Sequence, residues 1–214
     1  MYNPRWFKED RLQFLHAEIR KIGFGTLVTS AASGMLASHV PLLLDASRGE
    51  RGLLYGHIAR GNLQWRDTLP GSEGLAIFLG PDAYVTPRWY QTKKEDGKVV
   101  PTWNYVAIHV RGPVTFFEDP ERLREVVTEL TTLHESGAED PWEVTDAPAD
   151  YIQTQLKSIV GFEMPIARVE GKWKMSQNRP EPDHEGVIAG LDERDQNRDA
   201  EVSAEMRSHG QPAG

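Results

Sequence analysis

Seven short β-patterned runs, joined by turn residues and not by helical crossovers, limit most strongly what this chain can fold into. Residues 24–30 (FGTLVTS) are rich in β-formers and lead through Ala31-Ala32-Ser33-Gly34 into a second run at 35–44, the pattern of a hairpin. Further runs fall at 52–58, at 75–79 (continued by 83–86 after a Gly80-Pro81 bend) and at 105–117. A last pair, 159–169 and 172–175, is hinged near Gly171. The helical signals stand beside these runs instead of alternating with them. Leu12, Leu15, Ile19 and Ile22 share one helical face between an Asp10/Gln13 capping signal and Gly23. Asp119-Pro120 opens a helix striped by Leu123, Val126, Val127, Leu130 and Leu133. Shorter helices are expected at 63–69 and 148–157. The expected fold is therefore α+β: an antiparallel, Greek-key-like barrel of about six strands with flanking helices. A doubly wound parallel sheet fits poorly.

Several function classes fall away on composition. With no cysteine among 214 residues there is no disulfide scaffold, thiolate zinc site, iron–sulfur cluster or thiol nucleophile. No apolar run approaches the ~18 residues of a membrane span, and the first residues lack a signal-peptide plan, so the expected compartment is the cytoplasm. Net charge is -8, which argues against DNA as a direct partner. Gly23-Phe24-Gly25 begins like a dinucleotide fingerprint, but it lacks the third glycine and lies between a helix and a strand in reversed order. P-loop, zincin, serine-hydrolase and EF-hand motifs are absent. Residues 179–214 hold nine acidic and four basic residues. Few apolar residues follow Leu191, so the expected domain is 1–191, with 192–214 a disordered, dispensable acidic tail.

Polar and aromatic residues gather where strands end. His39 lies in 37–41 (ASHVP), and His57, Arg60 and Asn62 lie in 55–65 (YGHIARGNLQW), where a strand runs into a helix start. Arginine beside free backbone N–H groups suits a phosphomonoester; an ordinary surface arginine is the plainer reading. Trp89, Tyr90, Trp103, Asn104 and Tyr105 border a long loop at 87–101 and suit a planar ligand, a subunit interface or the plug of a barrel end. Gln177, in 175–179 (MSQNR), has the donors and acceptors to read a heterocycle edge, or simply forms a turn. His39, His57 and His109 are also open to a metal or haem reading, though their spacing carries no metal signature.

Six stretches together resemble the PaiB family of FMN-binding negative transcriptional regulators: MYNPRWF (1–7), ASHVPLLLD (37–45), LLYGHIARGNLQW (53–65), LAIFLGPDAYVTPRWY (75–90), VPTWNYVAIHVRG (100–112) and IVGFEMPIARVEGKWKMSQNR (159–179). The resemblance implies a split barrel that dimerises with FMN at the subunit interface. It makes Arg60 the phosphate ligand, helped by His57 and Asn62. Trp103, Asn104 and Gln177 would lie near the flavin or the interface, with His39 lining the cleft. Catalytic residues stay unassigned, no metal is expected, and haem is the alternative cofactor. Regulation through a sensed metabolite is expected over direct DNA contact, with a flavin-dependent oxidoreductase of the flavin reductase or pyridoxamine oxidase kind as the rival.

Overall fold

The computed structural model describes residues 1–209. In chain order the elements are β1 (Lys8–Glu9), α1 (Leu12–Ile22), β2 (Phe24–Ala31), β3 (Gly34–Pro41), β4 (Leu43–Asp45), β5 (Leu53–Ala59), α2 (Gln64–Asp67), β6 (Glu73–Val85) and β7 (Thr102–Pro113). They continue with β8 (Thr115–Phe117), α3 (Pro120–Glu135), α4 (Ala149–Leu156), β9 (Ile159–Pro165), β10 (Arg168–Lys174), α5 (Glu181–Arg194) and α6 (Asp199–Ser208). Strand order is β1-β10-β7-β6-β2-β3 in one sheet and β4-β5-β9-β8 in the other. The pairs β1–β10, β2–β3, β2–β6, β4–β5, β5–β9 and β8–β9 are antiparallel. The chain divides into two compact units. The first comprises Met1–Arg11, Leu79–Ile108 and the described residues from Glu170 onward; the second comprises Leu12–Phe78 and His109–Val169.

In the second unit, α1 buries Leu15 and Ile19 and stops at Gly23, whose φ of +64° is the left-handed exit that glycine adopts without Cβ strain. Immediately afterwards β2 alternates buried and open positions, and all eight of its residues pair with β3, from Phe24 opposite Pro41 to Ala31 opposite Gly34. Leu42 breaks the run expected at 35–44: its N–H bonds the Gly23 carbonyl, and the chain re-enters the other sheet as β4. α3 starts as expected, with the Asp119 side chain accepting from the Arg122 N–H, and it lays Val126 and Leu130 against Leu43. Two local expectations are corrected. Gly80-Pro81 does not bend β6, which runs unbroken. Gly171 is no hinge either; it sits inside β10 opposite Glu9, and the turn falls after Pro165, where Ile166 and Ala167 bond the Gly52 and Arg111 carbonyls.

In the first unit the expected disordered tail is corrected more substantially. Residues 192–194 finish α5, 195–198 make the turn and 199–208 form α6; of the expected tail, 210–214 lie outside the described residues. Only four apolar side chains are needed: Val187, Leu191, Val202 and Met206 are all fully buried. Asp195 and Asn197, both left-handed, make the sharp turn between the helices, a conformation that Asp and Asn tolerate better than most residues. Asp199 then accepts from the Arg194 guanidinium at 2.5 and 2.6 Å, which holds its carboxyl below the usual range. The small residues of α5 have a packing role as well. A Cβ on Gly190 would come within 2.3 Å of the Trp89 indole, so α5 closes on the 87–89 turn only because glycine stands there. Since Met206 is fully buried, Met206→Ala is expected to destabilise the protein by about 2–5 kcal/mol in denaturant unfolding, where a solvated tail would show no change.

Candidate functional site

The sequence-expected residues fall in both units, four in the second and three in the first. In the second unit, β2 and β3 bring Thr26 opposite His39, and Thr26 Oγ1 lies 2.9 Å from His39 Nδ1 on an exposed part of the hairpin. The neighbouring Ser38 enters a polar network at the start of α2. Asn62 Nδ2 donates to Ser38 Oγ at 2.6 Å, and Ser38 Oγ donates to Gln64 Oε1 at 2.5 Å. Gln64 Nε2 donates onward to Thr29 Oγ1 and the Leu27 carbonyl. Asn62 Oδ1 also accepts from the Gln64 N–H, so Asn62 makes the Asx turn into the short helix and ties it to the hairpin. Gln64, only 2% exposed, is not among the sequence candidates, and its one signal is a polar residue set between Leu63 and Trp65.

Arg60 is anchored rather than loose. Its Nε donates to the Lys157 carbonyl at 2.6 Å, Nη2 to the Ile159 carbonyl at 3.2 Å, and Nη1 pairs with Glu118. Two of its five N–H groups remain after these bonds. It lines a cavity of about 340 Å³ together with Arg124, Lys157, Glu118 and Glu121, so three cations face two carboxylates there. His57 stands on β5 opposite Gly161 of β9. Its Nδ1 is buried without a hydrogen-bond partner, and burial pushes the imidazole below its ordinary range.

In the first unit the three expected residues part company. Trp103 is 53% exposed, with Tyr84 edge-on at 5.9 Å, and so offers a ring face to a ligand or a partner. Asn104 is buried: its Nδ2 donates to Met206 Sδ and its Oδ1 accepts from Ser176 Oγ. Gln177 closes the turn after β10, donating to the Trp173 carbonyl at 2.6 Å and accepting from the Met175 N–H at 2.7 Å. Both amides spend their polar atoms inside the unit. The 87–101 loop is held through Thr92, whose N–H and hydroxyl both donate to the buried Asp183 at the start of α5. No three His, Cys, Asp or Glu side chains are placed to hold a metal ion among the described residues. None of their helices is long and apolar enough to cross a membrane.

The chain matches the family described as "Putative FMN-binding domain" over residues 1–168. It is 32% identical over 206 residues to "Protease synthase and sporulation protein PAI 2" of Bacillus subtilis, covering 96% of each chain. It is 34% identical to an uncharacterised protein of Emericella nidulans, covering 90% of each. Among solved structures it resembles the flavocytochrome Anf3 of Azotobacter vinelandii, with a TM-score of 0.59 at 10% identity, covering 81% of this chain and 72% of that one. It also resembles an FAD- and haem-binding protein of Mycobacterium smegmatis, again at 0.59, with 14% identity and coverage of 86% and 80%. These likenesses establish the split-barrel fold.

The buried, unpartnered His57 sets a pH test. Because its folded pKa is depressed, the neutral ring contributes stability that is fully present above the unfolded value of about 6.5 and is lost as pH falls toward the folded value. Imidazole NMR is expected to find His57 neutral at pH 6.5, and His57→Asn should flatten the loss of stability on acidification. A His57 titrating at or above 6.5 would contradict this.

Proposed function

The chain belongs to this FMN-binding domain family, and on that membership we propose that it binds FMN as a homodimer and acts as a flavin-dependent regulator. The observation that carries the flavin reading is the family match over most of the chain, joined by 32% identity to PAI 2 along nearly its full length. A bound flavin would supply one- or two-electron chemistry; the residues of this chain bind, orient and shield it. The donor set suits a phosphate-bearing ligand, since Arg60 keeps two N–H groups on a cavity it shares with Arg124 and Lys157. In this reading Arg60 takes the phosphate and His57 stands near it. Asn62 fixes the turn that presents both. His39, on the outward hairpin, lines the cleft. Trp103, in the first unit, keeps an exposed ring for a partner surface, and Asn104 and Gln177 brace the backbone beside it.

Dimerisation is supported by an apolar face of the second unit. Val28 lies opposite Ala37 on one side and Leu75 on the other, Thr26 lies opposite Ile77, and the exposed Phe24 and Met35 extend the patch. Open apolar surface of this kind on a sheet is what a subunit interface covers. A monomer by light scattering at micromolar concentration would overturn it. The negative charge of the chain supports regulation without DNA contact; retardation of duplex DNA by the FMN-loaded protein at physiological salt would overturn that.

Arg60→Ala gives the sharper test. The substitution removes donors from two backbone carbonyls as well as from any phosphate, so a lower melting temperature is expected in either case. The discriminating measurement is therefore FMN against riboflavin, which lacks the phosphate. FMN affinity is expected to fall about ten- to a hundredfold with riboflavin nearly unchanged, and Arg60→Lys should recover only part of the loss. Equal losses for both ligands would make Arg60 a brace and not a phosphate ligand. No flavin uptake by the wild type, read from the visible absorption spectrum, would overturn the flavin reading itself.

A further inference from the structure

Two lysines of β10 have no part in the flavin reading. Lys172 and Lys174 flank Trp173, whose indole N–H bonds Glu205 of α6, so strand alternation turns both lysines to the opposite face. Lys174 Nζ donates to Thr102 Oγ1 at 2.7 Å and to the Trp103 carbonyl at 2.5 Å, with the Phe7 ring 5.9 Å away. An ammonium has three donors, so one N–H remains. Lys172 Nζ donates to the Tyr2 carbonyl and lies over the Tyr105 ring at 5.2 Å. Tyr105 and Trp103 share a face by the same alternation. Neither lysine is ion-paired among the described residues. The nearest carboxylates along β10 and β1 are engaged elsewhere: Glu170 with the N-terminal amine, Glu9 with Arg11, and Asp10 with Lys8.

We propose that Lys174, seconded by Lys172, holds the carboxylate of a small planar aromatic acid whose ring rests against Trp103. A partly buried cation with a fixed position, a spare N–H and no counter-ion gains most from an incoming anion, because much of its desolvation has already been met within the fold. A lysine suits a carboxylate as a point charge, without the planar fork an arginine would bring. Trp103, whose carbonyl Lys174 bonds, has a half-exposed indole to supply the ring contact, and an acid without a ring would forgo that contact. The surroundings of the amine support this. Burial first, then Lys172 and Arg179, bring Lys174 down to about 8; Lys8, paired with Asp10, stands opposite Lys172 on β1, and the phenols of Tyr2 and Tyr105 lie beside Lys172.

Calorimetric titration of the full chain with benzoate, benzamide and acetate tests the site, and it does not depend on flavin binding. Benzoate is expected to bind, with benzamide and acetate each at least tenfold weaker. Raising the pH from 7 to 9.5 should weaken benzoate about thirtyfold as Lys174 deprotonates. Lys174→Gln should weaken benzoate at least tenfold, and Lys174→Arg should restore part of it. The pH series and the benzamide comparison use the wild type alone, so they decide the matter even if a variant fails to fold. Benzamide binding as well as benzoate, benzoate binding unaltered by pH, or no benzoate binding where FMN still binds would each overturn the proposal. Acetate binding as tightly as benzoate would overturn the ring contact.

Discussion

Buried amide side chains that satisfy backbone and neighbouring hydroxyls hold the loops of both units in place. A buried polar group left without a partner costs about 1–3 kcal/mol, so an irregular segment can pack only where such a group is answered. Gln64 answers for the second unit. One amide reaches Thr29 and the Leu27 carbonyl, accepts from Ser38 and, through Ser38, fixes Asn62. Gln177 and Asn104 answer for the first unit, closing the turn after β10, where Ser176 sits at a φ of +63°. A left-handed serine carries strain, and the adjacent hydrogen bonds hold it. The turns beside the candidate residues therefore depend on amides whose polar atoms are taken up within the fold.

The same accounting separates the two cationic clusters. In the second unit, Arg60, Arg124 and Lys157 share their cavity with Glu118 and Glu121, so an anion arriving there must compete with carboxylates already in place. Arg60 can do so only through donors left over from bracing the Lys157 and Ile159 carbonyls. In the first unit, Lys172 and Lys174 have no carboxylate paired with them among the described residues. Their repulsion is tolerated because cation–π contact and backbone carbonyls partly compensate it. One cluster stabilises the fold and has donors to spare; the other keeps a charge that the fold does not neutralise.

The antiparallel α+β fold was legible because its signals are local. Alternation along 24–30, the Asp119-Pro120 helix start and the glycine after α1 each act within a few residues. What was missed depends on partners distant in sequence. The Gly80-Pro81 pair reads as an interruption, yet β6 continues through it as one strand from Glu73 to Val85. Residues 192–208 look too polar to fold, yet four buried apolar side chains and one buried Arg194–Asp199 pair suffice once glycines let α5 approach Trp89. For the candidate site, the sequence offers residue types, and their hydrogen-bond partners cannot be read from it. An Asn or Gln at a strand end fits a ligand contact and a turn brace equally well in sequence, and the bracing hydrogen bonds of Asn104 and Gln177 come from partners that spacing does not reveal.

The C-terminal helices then acquire a purpose that their composition hides. The family match ends at residue 168, before α5 begins. Even so, α5 holds the aromatic loop from several sides. Asp183 takes both donors of Thr92, Gly186 and Gly190 admit the Trp89 backbone and indole, and Arg194 lies 4.9 Å from that indole while donating to the Tyr84 carbonyl. α6 adds Met206 against Asn104 and Glu205 on Trp173, behind the strands that carry Trp103 and Lys174. An exposed indole can serve as a rigid wall only if the backbone beneath it does not yield. In this chain that rigidity comes from a segment whose sequence reads as a solvated tail.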